Sequence, residues 1–189
     1  MAEPELKLII EAALLAAGEP LTLERLALLF EEHRRPDRKA IREALQALDV
    51  DYADRGIELV EVANGYRLQV RSGYADWVSR LWEERPGRYS RALLETLALI
   101  AYRQPVTRGE IEEVRGVGVG TPIIKTLLER NWIKVLGHRE VPGRPALYGT
   151  TREFLDYFNL RTLGDLPPLA DIQDFDLPLT SDSSPADRS

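Results

Sequence analysis

Residues 99–111 read "LIAYRQPVTRGEI", and nearly the same phrase stands 85 positions earlier, as "LLAAGEPLTLERL" at residues 14–26. Leu14, Ala16, Pro20, Thr22 and Leu26 fall on Leu99, Ala101, Pro105, Thr107 and Ile111. In each copy an apolar helix stops ahead of a proline, which disfavours helix in the residue before it, and a threonine then caps the next helix. The second copy adds Glu110 three residues after Thr107, which completes a capping box. A chain of 189 residues is long enough for two small domains, and the repeat predicts two related ones.

Working outward from the first copy, Ile41, Leu45 and Leu48 recur at helical spacing and predict a third helix. "GIELVEVANGYRLQV" follows. Asn64-Gly65 favours a two-residue hairpin turn, and Tyr66, Leu68 and Val70 alternate with Arg67 and Gln69. In the preceding strand Val60 sits beside Leu59, which leaves a bulge or burial on both faces open. The second copy repeats the order: helices over 90–103, 108–115 and about 122–130, then strand "WIKVLG", loop "HREVPGRP" and strand "ALYGT".

Three short helices followed by a hairpin make a winged helix-turn-helix. The predicted fold is therefore mainly α with small β hairpins, an α+β chain of tandem winged-helix domains over 1–72 and 90–169. Residues 73–89 connect them, with Trp77, Leu81 and Trp82 suggesting a packed helix and Pro86-Gly87 a break. Residues 151–159 form one further helix. The tail 170–189, rich in Asp, Ser and Pro, is expected to be disordered.

"RGVGVGTP", at 115–122, invites a phosphate-loop reading that its context opposes. A Walker loop needs Lys and then Ser or Thr after its last glycine, and a dinucleotide fingerprint follows a strand. Here Thr121-Pro122 follows and a helix precedes, so Gly116 is expected to end the second helix, with Thr121 capping the third and Pro122 in its first position.

Charge further narrows the function. The net −6 divides into −4 over residues 1–72, +2 over 73–169 and −4 over 170–189. None has the basic excess of a stand-alone nucleic-acid binder. The third helix of the second domain offers only Lys125 and Arg130, balanced by Glu129, to read base edges. Arg34, Arg35, Arg38, Lys39 and Arg42 in the first domain are more suggestive, but Glu43, Asp49, Asp51 and Asp54 follow closely.

No cysteine and two histidines supply thiolate or metal chemistry poorly, so neither cofactor nor metal is expected. No apolar run approaches the roughly 20 residues that span a bilayer, and the N-terminus lacks secretory-signal features. The expectation is a soluble cytoplasmic protein. His138 has no nucleophile beside it, and Glu112-Glu113 are helix neighbours that do not face each other, so no enzyme is expected. Glu95 interrupts the apolar helix "LLETLALIAY" and predicts an ion pair with Arg115 or Arg144. At the second wing, Pro142-Gly143 suits a type II turn, and Arg144 and Tyr148 are residue types favoured in interface hot spots.

"RALLETLALIAYRQPVTRGEIEEVRGV", "KTLLERNWIKVLG", "VPGRPALYGTTREFLDYFNL" and "LGDLPPL" closely resemble the bacterial segregation and condensation protein B family, ScpB, and "IIEAALLAAGEPLTLERLALLF" resembles its N-terminal start. The resemblance runs from about residue 6 to 169. It implies a non-enzymatic, nucleoid-associated subunit of the SMC condensin-like complex that supports chromosome condensation and segregation. The first domain would form a homodimer, and the second would bind the kleisin ScpA directly and SMC through it. Trp132, Arg139, Arg144, Tyr148, Phe154 and Tyr157 are the candidate ScpA contacts, with DNA binding weak or indirect. The alternative from the fold alone is a winged-helix transcription regulator.

Overall fold

The computed structural model describes residues 5–81 and 89–168. Trp82, Pro86 and Gly87 of the connecting segment, and the tail expected to be disordered, lie outside the described residues.

The first unit opens with α1 (Leu6–Ala17), stopped by Gly18 in the left-handed region at φ 64°. The short α2 (Leu23–Ala27) begins at Thr22, whose hydroxyl accepts the Arg25 N–H at 3.2 Å. Next, α3 (Arg38–Asp51) begins at Asp37, whose carboxylate accepts the Ala40 N–H at 2.7 Å. Ile10, Leu14, Leu26, Ile41, Leu45 and Leu48 close the core between the three helices. The expected apolar stripe of α3 is thus its buried face.

Antiparallel β1 (Ile57–Val62) and β2 (Gly65–Val70) cover that core with Leu59, Tyr66 and Leu68. Their register runs unbroken from Ile57 opposite Val70 to Val62 opposite Gly65, so Val60 marks partial burial on both faces and no bulge. The two-residue loop is Ala63-Asn64, one position earlier than Asn64-Gly65. Gly65 belongs to the strand because the backbone of Leu21 lies against it: Leu21 and Tyr66 exchange backbone hydrogen bonds at 2.8 and 2.9 Å. A Cβ on Gly65 would sit 2.2 Å from the Leu21 carbonyl oxygen.

Between the units, α4 (Ala75–Val78) is a single turn flanked by two 3-10 turns, Ser72–Tyr74 and Ser79–Leu81. The expected packed connecting helix is not found over the described part. Trp77 and Leu81 are 65% and 78% exposed, since a helix of four residues has no continuous face to bury them.

The second unit repeats the plan. Ser90 caps α5 (Arg91–Arg103), and Thr107 and Glu110 close the expected capping box at the start of α6 (Arg108–Arg115). Between them, the two-residue strand β3 (Val106–Thr107) pairs with the later hairpin; it matches the Leu21 bridge of the first unit and is too short to show as a pattern in sequence. α7 (Thr121–Glu129) starts one residue early: Gly120 is its N-cap, Thr121 is already helical and makes no side-chain cap, and Pro122 lies within the first turn.

The hairpin consists of β4 (Ile133–His138) and β5 (Ala146–Thr150), in the order β3-β5-β4, with a register shift between Val135 and Gly137. Its tip is the expected turn: Gly143 has φ 83°, and the Arg144 N–H reaches the Val141 carbonyl at 2.9 Å. Thr151 then caps α8 (Arg152–Tyr157). Leu97, Ile100, Ile111, Leu127, Ile133 and Phe154 form this unit's own core.

The two units touch through the first wing. Ala63 N–H donates to the Leu160 carbonyl at 3.0 Å, and Asn64 donates from its backbone and side-chain nitrogens to the two carboxylate oxygens of Asp156 at 3.0 and 2.6 Å. Arg67 Nη2 donates to the Asp156 carbonyl at 2.9 Å and to Asn159 Oδ1 at 2.6 Å.

Candidate partner-binding surfaces

Which surfaces remain available depends on which polar side chains are already engaged. In α1, Lys7 pairs with Asp51 at 2.7 Å and Glu11 accepts the Tyr52 hydroxyl. Both polar residues of this helix therefore serve α3 and its end. The solvent side keeps Leu8, Ala12, Leu15 and Ala16, at i, i+4, i+7 and i+8, with Leu15 74% exposed. A contiguous apolar stripe left in solvent marks an interaction surface.

Two of the suggestive cations of the first unit have carboxylate partners. Arg38 pairs with Glu24 across the α2–α3 corner and Lys39 with Glu43 at 3.8 Å, one turn along. On the helix that would read a major groove in the second unit, Lys125 pairs with Glu129 at 3.5 Å. Arg130 instead lies over the Tyr89 ring, 4.7 Å from its centroid. These pairs form a solvated mixed-charge face.

The six candidate contacts divide into two places. Trp132, Phe154 and Tyr157 come together in an aromatic cluster with Tyr89 and Phe158, Trp132 and Tyr157 being 4.5 Å apart between ring centroids. Trp132 and Phe154, only 3% and 4% exposed, belong to the core, so in place of direct contacts they brace the rings above them. Tyr157, 50% exposed, and Phe158 carry the outer face. Phe158, inside the helix expected over 151–159, is the C-cap residue of the shorter α8 and adds a ring to this face. It also walls an apolar groove with Leu94, Ala98, Tyr102 and Leu166.

Arg139, Arg144 and Tyr148 lie on the wing. Arg139 reaches back to Glu110 at 2.8 Å, and Arg144 pairs with Glu140 at 3.3 Å at the exposed tip. Tyr148 lines an open depression with Leu128 and Lys125 of α7. His138 stands exposed at the end of β4.

Glu95 finds Arg115, Oε2 to Nη2 at 3.0 Å, while Arg144 is engaged elsewhere. Arg91 pairs with the other oxygen at 2.8 Å. The Arg91 hydrogen bond, followed by that from Arg115, holds the Glu95 carboxyl below its ordinary range against a partial opposing effect of burial. This is a structural pair, because the Arg115 side chain is only 9% exposed. Glu112 is likewise structural. Its carboxylate accepts the Val119 N–H at 2.9 Å and pairs with Arg108, and the backbone donor is the first cause of its lowered pKa. The glycine run is thereby pinned as a helix-turn-helix elbow, with Val119 buried inside it.

Among the described residues no cluster of His, Asp or Glu has metal-binding geometry, and no helix is long and apolar enough to cross a membrane.

The family model described as "Segregation and condensation complex subunit ScpB" matches residues 8–169. A segregation and condensation protein B homolog of Coxiella burnetii is 58% identical, over 93% of this chain and 84% of that protein. The segregation and condensation protein B of Syntrophotalea carbinolica is 50% identical, over 87% and 82%. A solved dimer of an ScpB N-terminal domain with an ScpA peptide shares 28% identity with 40% of this chain and 93% of its own, at a TM-score of 0.36.

Proposed function

Because the chain belongs to the ScpB family of segregation and condensation complex subunits, we propose that it acts without catalysis, as an architectural homodimer that binds the kleisin ScpA and reaches SMC through it. Its place of work is the cytoplasm, at the nucleoid. Residues 1–72 form the dimerising domain, 73–89 the connection and 90–169 the kleisin-binding domain.

One observation carries this reading: apolar and aromatic side chains stand exposed on both winged-helix units, on α1 and beside α8, while the groove-reading helices carry few cations, interspersed with carboxylates. Nucleic-acid recognition needs clustered, available Lys and Arg, whereas protein interfaces favour Tyr, Phe and Arg. The α1 stripe supports self-association. Tyr157 and Phe158, with Arg139, Arg144 and Tyr148 on the wing, support the kleisin contact.

The experiment mixes the full chain with ScpA, or with duplex DNA, at physiological salt and follows co-elution. Stable co-elution with ScpA, weakened at least about tenfold by Tyr157→Ala (a typical hot-spot loss), is expected, together with weak, salt-sensitive DNA retention. Tight, sequence-dependent DNA binding without ScpA binding would overturn it and restore the transcription-regulator reading.

A further inference from the structure

The hydrogen bonds between the two units are sorted by side. Among the described residues there are five, all starting on the first wing, at Ala63 N, Asn64 N and Nδ2, and Arg67 Nη2 twice, and all ending on the α8 segment. The acceptors are the Leu160 carbonyl, both Asp156 carboxylate oxygens, the Asp156 carbonyl and Asn159 Oδ1. The last carbonyls of a helix keep spare acceptor capacity, and that of Asp156 takes the Asn159 N–H at 3.3 Å and Arg67 Nη2 besides. Asn159, in the left-handed region at φ 57°, turns the chain so that its side-chain oxygen meets the same guanidinium nitrogen. Arg67 Nε is buried without an acceptor, a cost that the two strong bonds of its Nη2 must offset.

Backbone N–H groups and an arginine at a wing tip are also the donor set that protein–DNA contacts direct at phosphate oxygens. Here those donors are taken up within the chain: the Asp156 carboxylate accepts both Asn64 donors, while Arg67 is held by the Asp156 carbonyl and Asn159 Oδ1. We propose that this contact is a latch: Asp156 sits on the first wing where a phosphate would, so the two winged-helix domains move as one arm and that wing is closed to nucleic acid. The proposal rests on the architectural reading above and deepens it, because an arm of fixed angle presents the α1 stripe and the Tyr157 face to partners in one geometry. Asp156 is a positioning residue in this account. The Glu61–Arg161 pair, 4.0 Å apart at the rim, only flanks it.

The test needs no ScpA, so its failure is distinct from failure of kleisin binding. The chain has no native cysteine, so spin labels can be placed at Lys39→Cys and Lys125→Cys, one exposed site in each unit. Diluting with unlabelled protein isolates the distance within one chain. A single narrow distance population is expected, retained in Arg161→Ala and lost in Asp156→Ala and in Asn64→Ala/Arg67→Ala, with circular dichroism unchanged. The loop variant Asn64→Ala alone serves if Asp156→Ala does not fold. A narrow, unshifted population in the latch variants overturns the proposal. Fluorescence anisotropy with a short duplex reads the closed wing: Asp156→Ala gains affinity, whereas Glu153→Ala, the same charge change on the same helix, does not. Equal gains in both variants overturn that half.

Discussion

Gly65 shows how one residue can decide an interface between elements. Its φ of 122° lies in the region that favours glycine, and the Leu21 carbonyl oxygen occupies the place of its absent side chain. The same approach lets Leu21 and Tyr66 pair, tying the lead-in to α2 onto the hairpin. Tyr66 also donates its hydroxyl to Glu61 at 2.9 Å, and burial first, then that bond, pushes the phenol up to about 12, so it remains a donor at neutral pH. Gly65→Ala should therefore lower unfolding stability by roughly 1–3 kcal/mol from backbone strain alone, with the steric clash adding to it. Urea unfolding followed by tryptophan fluorescence and circular dichroism measures the loss, and a variant as stable as the parent would show that the Leu21 backbone moves aside freely. In sequence this residue was legible as a turn glycine, but not as a contact, because the partner that excludes its Cβ lies 44 positions away.

At the scale of the element, the helix-turn-helix elbow between α6 and α7 has three glycines with unequal duties. Gly116 ends α6 at φ 69°, while a Cβ on Gly118 meets nothing within 4 Å and its φ is not left-handed. Gly116→Ala should cost about 1 kcal/mol, the ordinary penalty of a side chain in that region. Gly118→Ala should change stability by less than about 0.5 kcal/mol, as open surface substitutions do. Thermal melts of the two variants compare them directly: equal losses would mean that the elbow needs freedom at both sites. A Gly118→Ala chain that melts normally but releases ScpA would place the kleisin backbone against this turn. The caps explain why elements were the most legible level. Thr22, Ser90, Thr107 and Thr151 each sit directly before an apolar-periodic run and do cap it, a relation confined to four residues of chain. The strand β3 and the first residue of α7 escaped because one is set by a distant partner and the other by the path out of Gly120.

For the whole molecule, residue type alone does not say which candidate residues reach the surface. Residue type pointed to the aromatic and wing regions, but only packing separates Tyr157 at the surface from Trp132 and Phe154 beneath it, since the sequence bears the same ring chemistry at all three. The α1 face was hidden for the opposite reason. "LKLIIEAALLAA" looks like a core helix on every side, and only the fold shows that a unit this small covers it on one side, through Ile10 and Leu14, and leaves Leu8, Ala12, Leu15 and Ala16 outside. Lys7 and Glu11 cannot relieve that exposure, being held by Asp51 and Tyr52 on the α3 side. A second copy meeting the stripe along its own α1 face would bury it symmetrically, the commonest form of closed assembly. Leu15→Glu is the direct probe. A side chain already 74% exposed contributes little to the fold of one chain, so the variant should keep its circular dichroism spectrum while sedimenting as a monomer. Its melting temperature should also lose the dependence on protein concentration expected of the parent dimer, since association stabilises by mass action. A variant that still sediments as a dimer would move the self-association surface away from α1.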